Sequence, residues 1–96
     1  MKLAFSREAR GDLVRLRAFI AAHGPSAAER VARRRIRGIE RLIRFPRLGR
    51  RVIVAPDELA PEEIRDWLVG GYVVRYLIVG DRIIVLRVWH GKERRP

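Results

Sequence analysis

Residues 63–89 constrain the fold most. EIRDWLV (63–69), YVVRYLIV (72–79) and RIIVLRVW (82–89) are three apolar-rich runs separated by Gly70-Gly71 and Gly80-Asp81. Short runs rich in Val, Ile, Tyr and Trp, bounded by glycine turns, read as β-strands. The two-residue loop Gly80-Asp81 makes the last two runs a hairpin. It predicts the pairs Val79–Arg82, Leu77–Ile84, Arg75–Leu86 and Val73–Val88. One face then carries Val73, Arg75, Leu77, Ile84, Leu86, Val88 and His90. The other carries Tyr72, Val74, Tyr76, Ile78, Ile83, Val85, Arg87 and Trp89, so that Trp89 completes an aromatic face with the two tyrosines. Both faces are mostly apolar. One has to pack on other elements of the chain; the other calls for a partner, or forms an exposed apolar patch.

Those other elements come first in the sequence. Residues 2–5, KLAF, read as a short strand, and Ser6 as the N-cap of a helix. Ala9, Leu13, Leu16 and Ile20 recur at helical spacing, which predicts one amphipathic helix to about Ala22, stopped by Gly24. Ser26 and Glu29 form a capping box for a second helix that runs to about Arg44, where Phe45-Pro46 ends it. The short connection predicts an antiparallel helix hairpin. Ala28, Ala32, Ile36, Ile39 and Ile43 make the apolar stripe of the second helix, flanked by Val31 and Leu42, and Arg35 falls near the middle of it. Residues 45–61 hold three of the five prolines and read as a connector, with a short extended piece at Arg51-Val-Ile-Val. The result is a single domain, residues 1–96, of α+β class. Its order is β-α-α-β-β-β, with a helix hairpin packed on a mostly antiparallel sheet.

The second helix is also where the charge concentrates. Lys plus Arg number 22 against 11 Asp plus Glu, a net charge of +11, and twenty of the 22 are arginine. Such an excess attracts polyanions: nucleic acid, an anionic surface or an acidic protein. Arg30, Arg34, Arg37, Arg41 and Arg44 step along the helix opposite its apolar stripe. Between Arg30 and Arg51 stand ten arginines and one acid, Glu40, so pairs within the helix cannot neutralise this face. It reads as a solvated face, or as a contact surface for phosphate or an acidic partner. Five acids fall between Asp57 and Asp66, and this patch is expected to fold back onto the second helix.

Several chemistries are excluded by what is missing. The chain has no cysteine, hence no disulfide and no thiolate metal site, which fits a reducing cytoplasm. His23 and His90 are the only histidines and lie far apart, so no metal or other cofactor is expected. There is no phosphate-binding glycine loop, and no Thr, Asn or Gln at all. No segment resembles a signal peptide, and no apolar run approaches the roughly 18–20 residues that span a bilayer. The one remaining catalytic option is proton transfer by His90, with arginines stabilising charge: the chemistry of a metal-free ribonuclease.

The order of these pieces resembles the RelE/ParE superfamily of bacterial type II toxins. The matching residues are Phe45-Pro46-Arg47-Leu48-Gly49-Arg50, Gly71-Tyr72 and Tyr76, and Arg87-Val88-Trp89-His90-Gly91-Lys92. The resemblance implies a growth-arresting toxin neutralised by a small acidic antitoxin, ParD-like, in a hetero-oligomer. It implies that operator DNA is met only through the antitoxin. Arg30, Arg34, Arg37, Arg41, Tyr72 and Tyr76 are the expected antitoxin contacts.

The superfamily divides by target. RelE-like members cleave mRNA on the ribosome and usually carry an arginine directly after the Gly-Tyr, and often a tyrosine near the C-terminus. Here Val73 follows Gly71-Tyr72, and no tyrosine follows Tyr76. ParE-like members inhibit DNA gyrase and need no such set, and the Arg-Val-Trp-His-Gly-Lys ending looks more like theirs. The expectation is a ParE-like gyrase inhibitor that is not an enzyme, with Trp89, His90, Lys92, Arg94 and Arg95 as target-binding residues. The alternatives are a RelE-like endoribonuclease using Arg75, Arg87 and His90, or a degenerate member without toxicity.

Overall fold

A computed structural model describes residues 1–22, 25–52 and 63–91, without the side chains of 19–21, 25–29, 31–32 and 35–36. The expected helix stop at Gly24, the Ser26/Glu29 capping box, the fate of Arg35, the extended piece beyond Val52 and the tail from Lys92 lie outside the described residues. The element order is β1 (Lys2–Phe5), α1 (Arg7–Ala21), α2 (Pro25–Arg44), β2 (Arg50–Arg51), β3 (Glu63–Val69), β4 (Tyr72–Val79) and β5 (Arg82–His90). The strands form one sheet in the order β1-β5-β4-β3-β2. All pairs are antiparallel except β1 with β5. This is the expected α+β architecture.

Both helices pack on one sheet face. Ala9 and Leu16 of α1 and Ile39 and Leu42 of α2 are buried with Val69, Tyr72, Val74, Tyr76, Ile83, Val85 and Val88. Fully burying a large apolar side chain is worth about 1.5–3 kcal/mol, so these residues dominate stability. Ser6 caps α1 as expected: its Oγ accepts from the Ala9 N–H at 3.0 Å. The same hydroxyl donates to the Leu86 carbonyl at 2.8 Å, tying the helix start to β5. Trp67 Nε1 donates to the Gly38 carbonyl at 3.1 Å and fixes α2 over β3.

The hairpin register departs from expectation halfway along. Val79–Arg82 and Leu77–Ile84 pair as predicted, but Arg75 faces Arg87 and Val73 faces Trp89. A bulge at Arg75/Tyr76 leaves Leu86 without a partner, since Tyr76 pairs with Val85. The bulge falls where β1 ends, at the Phe5–Val85 pair, and Ser6 turns the chain into α1. Past this point α1 side chains cap the β5 edge in place of a strand. Asp12 Oδ2 accepts from the Val88 N–H at 2.9 Å, and Arg15 donates to the Val88 carbonyl at 3.2 Å.

The slip exchanges residues between faces. Val88 and His90 join Tyr72, Val74 and Tyr76 on the helix side. Trp89 pairs with Val73 on the opposite face and does not complete an aromatic surface with the tyrosines. The face away from the helices holds Val73, Leu77, Ile84 and Trp89, all half-buried, and Leu68, which is 69% exposed.

Candidate functional site

Three features could carry function: the end of β5, a transverse row of charge, and the arginine face of α2.

At the end of β5, the His90 ring meets the Tyr72 ring edge-on, with centroids 4.8 Å apart. A side chain at Gly71 would lie 3.2 Å from His90 Nε2, and the Gly91 N–H donates to the Gly71 carbonyl at 3.0 Å. His90 thus packs over the β3–β4 turn, whose glycines both have positive φ. Trp89 points the other way, and the Arg75 guanidinium lies 5.2 Å from its ring centroid, within cation–π range.

The bulge also lines up a row across four strands. Arg50 pairs in register with Asp66, Asp66 with Arg75, and Arg75 with Arg87. Asp66 binds Arg75 through both oxygens, at 2.8 and 3.0 Å. Asp12 binds Arg87 likewise, at 2.8 and 3.0 Å, and also accepts from Arg15 at 2.6 Å. Asp12 is 2% exposed. Burial alone would raise its pKa, but the hydrogen bonds from Arg87, the Val88 N–H and Arg15 outweigh burial and hold it at about 2. Each carboxylate in turn raises the pKa of its arginine. Within the row, Arg75 with Asp66 and Arg87 with Asp12 are therefore two-oxygen ion pairs.

The connector is clamped from below. The Tyr76 hydroxyl donates to the Pro46 carbonyl at 2.5 Å and accepts from the Gly49 N–H at 3.0 Å. Burial pushes the Tyr76 phenol up, so it keeps the proton it donates. Arg65 donates to the Gly49 carbonyl at 2.6 Å. A Cβ at residue 49 would stand 2.8 Å from both the Tyr76 hydroxyl and the Asp66 carbonyl, so only glycine fits. The Phe-Pro-Arg-Leu-Gly-Arg segment is thus a buried-tyrosine clamp that presents Phe45 and Leu48 at the surface.

Several expected roles are corrected. Tyr72 is 4% exposed and Tyr76 is fully buried, so neither presents a surface to an antitoxin. Of the expected acidic patch, Asp57, Glu58 and Glu62 lie outside the described residues, while Glu63 pairs with Arg65 and Arg47 and Asp66 with Arg75, so these two do not fold onto α2. Arg30, Arg34, Arg37, Arg41 and Arg44 are exposed, as expected of the outer face of α2. Arg75, Arg87 and His90 are not gathered into one cluster: the two arginines are ion-paired while His90 is on the helix side. Asp12 and Asp66, which hold the arginines, are not among the residues the sequence reading singles out. Asp12 is legible in part, since an acid three residues after Ala9 and four before Leu16 sits in the apolar stripe of α1. No helix among the described residues is long and apolar enough to cross a membrane. Among the described residues no cluster of acids or histidines could hold a metal.

Two helices over one face of a five-stranded sheet, with a clamped Phe-Pro connector and a basic α2, define a toxin of the RelE/ParE superfamily. The sequence matches the family described as ParE toxin of type II toxin-antitoxin system, parDE, over residues 3–95, and the chain belongs to that family. A curated relative, toxin RelE3 of Caulobacter vibrioides, is 32% identical over 91 residues, covering 91% of this chain and 90% of the relative. A solved chain of the chromosomal ParDE TA system from P. aeruginosa matches with a TM-score of 0.71 at 19% identity. It covers 94% of this chain and 95% of that one, and the likeness is one of fold.

Proposed function

We propose that this toxin arrests bacterial replication by inhibiting DNA gyrase, acting in the cytoplasm without catalysing a reaction, and that an acidic ParD-like antitoxin neutralises it. The carrying observation is the engagement of both candidate catalytic arginines. Arg75 is held by Asp66 and Arg87 by Asp12, and Val73 stands where RNA-cleaving relatives place an arginine. Freeing Arg75 for a phosphate would cost Asp66 its two-oxygen ion pair, and freeing Arg87 would cost the buried Asp12 two of its hydrogen bonds, leaving Arg15 and the Val88 N–H to hold it. Trp89, His90 and the basic residues Lys92, Arg94 and Arg95 form the target contact in this reading.

The antitoxin covers the sheet face away from the helices, where Leu68, Val73 and Trp89 gather in one register row. Its acidic residues answer the +11 charge.

The name of the relative RelE3 keeps a second reading in view, a ribosome-dependent mRNA interferase using Arg75, Arg87 and His90. Pulse-labelling after induction without antitoxin separates the two. Under the gyrase reading DNA synthesis stops first, and the purified protein blocks supercoiling by purified gyrase. Earlier arrest of protein synthesis, with killing lost in His90→Ala, overturns it in favour of RNA cleavage. Growth unaffected by the wild-type chain assigns it to the non-toxic members.

A further inference from the structure

We propose that the exposed face of α2 binds the phosphate backbone of duplex DNA directly and without sequence preference, so that this toxin touches DNA itself and not only through a partner. The described exposed residues of α2 are Arg30, Arg33, Arg34, Arg37, Glu40, Arg41 and Arg44. Among these described residues six arginines stand against one glutamate on a single stripe. The stripe spans 15 residues, Arg30 to Arg44, about 21 Å of helix. The same length of duplex presents about 12 phosphate charges.

The stripe keeps a cost that packing does not require. Arg30–Arg34, Arg33–Arg37, Arg34–Arg37 and Arg37–Arg41 are like charges three or four residues apart, a spacing that weakens a helix. Arg41 and Arg44 in the last turn offset the helix dipole. Arg30, Arg34 and Arg37 lie too far from that end for it to account for them. A polyanion relieves the repulsion in all of them.

The composition of the stripe selects the partner. No described exposed residue of α2 is apolar, so the stripe offers a partner charge and no hydrophobic anchor. A membrane would find nothing to insert, and a single strand would find no aromatic ring on which bases could stack. The whole chain has no Asn or Gln, the side chains that read adenine, so an arginine on a guanine edge is the one base contact the stripe offers beside its phosphate contacts. Charge alone suits a regular phosphate backbone, and it predicts indifference to sequence. The stripe is held in place by its surroundings. The Arg34 stem packs against the β3–β4 turn, since a Cβ at Gly70 would stand 2.7 Å from Arg34 Cδ. The Arg41 guanidinium lies 6.0 Å from the Trp67 ring centroid.

The test is fluorescence anisotropy of the full chain with two unrelated labelled 24-base-pair DNA duplexes across a salt series. Both should bind within about twofold of each other. Arg30→Gln/Arg34→Gln/Arg37→Gln should weaken binding at least tenfold at low salt and flatten the log–log salt slope by about 3. The same positions changed to lysine should retain binding. Arg7→Gln/Arg10→Gln/Arg17→Gln removes equal charge from exposed positions of α1 and should change binding less than threefold. Equal loss in both glutamine triples overturns the proposal, because binding would then follow net charge alone. Tighter binding to duplex RNA of the same length overturns the choice of DNA. Displacement of the duplex by an acidic peptide at lower charge concentration than by unlabelled duplex assigns the stripe to an acidic protein.

Discussion

Asp12 of α1 grips Arg87 of β5 through both carboxylate oxygens, at 2.8 and 3.0 Å, and the same carboxylate accepts the Val88 N–H at 2.9 Å. One side chain thereby does three things. It pairs with a cationic group, satisfies a β5 backbone donor that β1 is too short to reach, and locks α1 to the register set by the bulge.

This makes Asp12 an acid-sensitive fastener. Its folded pKa of about 2 lies below the ordinary value of 3.8. The lowered pKa therefore contributes stability above about pH 4, and the contribution fades as pH falls towards 2. From the difference it amounts to about 2 kcal/mol. Asp12→Asn should lower stability at pH 7 by about 2–3 kcal/mol, because Arg87 loses its counter-charge and one of the donors loses its acceptor. Urea unfolding at pH 7 and pH 3 checks both statements: the gap between wild type and variant should narrow at the lower pH. A gap of equal size at both would show that charge on Asp12 is not the cause.

Tyr76 is the second fastener, and it explains the connector. Tyr76→Phe removes one hydroxyl and leaves the Gly49 N–H and the Pro46 carbonyl without their partner. The expected loss is about 1–3 kcal/mol by denaturant unfolding. Gly49→Ala should cost as much or more, since its Cβ would meet the Asp66 backbone as well as Tyr76. If Tyr76→Phe unfolds at the wild-type midpoint, the connector is held by Arg65 and packing instead.

These two residues mark how far the sequence is readable. The strands, the helices and the glycine turns follow from periodicity and turn chemistry, which act locally. The bulge at Arg75/Tyr76 does not, because neither Gly nor Pro marks it; it arises where Ser6 and Asp12, some 75 residues upstream, take over the β5 edge. Without that slip, Trp89 falls among the tyrosines and His90 with Arg75. Tyr72 and Tyr76 look fit for a partner surface on composition alone. An aromatic residue with a polar tip suits an interface and a capped core alike, and only the Tyr76 contacts to the connector decide between them. The arginine face of α2 is legible because charge at helical spacing needs no tertiary information.

Leu68 separates two accounts of how a partner is held. It is 69% exposed and neighbours Val73 across β3 and β4. Leu68→Lys should leave stability within about 0.5 kcal/mol, as surface changes do. If the antitoxin is held by the apolar face, calorimetric titration should show at least tenfold weaker binding despite the added positive charge. Binding that is unchanged or tighter would place the acidic antitoxin elsewhere and make charge the main source of its affinity.

The end of the chain offers the clearest separation of target from antitoxin. Gly91 still closes β5 through its N–H to the Gly71 carbonyl, so a chain ending there keeps every described strand contact. What it loses is Lys92, Glu93, Arg94, Arg95 and Pro96, a net charge of +2 from three basic residues and one acid. In the proposed reading these basic residues meet the target by charge, while the antitoxin is held by the apolar sheet face. Truncation after Gly91 should therefore reduce killing by at least tenfold in colony counts, while the titrated affinity for the antitoxin changes less than threefold. Killing at the wild-type level would remove the tail from the target contact and leave Trp89 and His90 to carry it. Antitoxin affinity falling in step with killing would mean that one surface serves both partners.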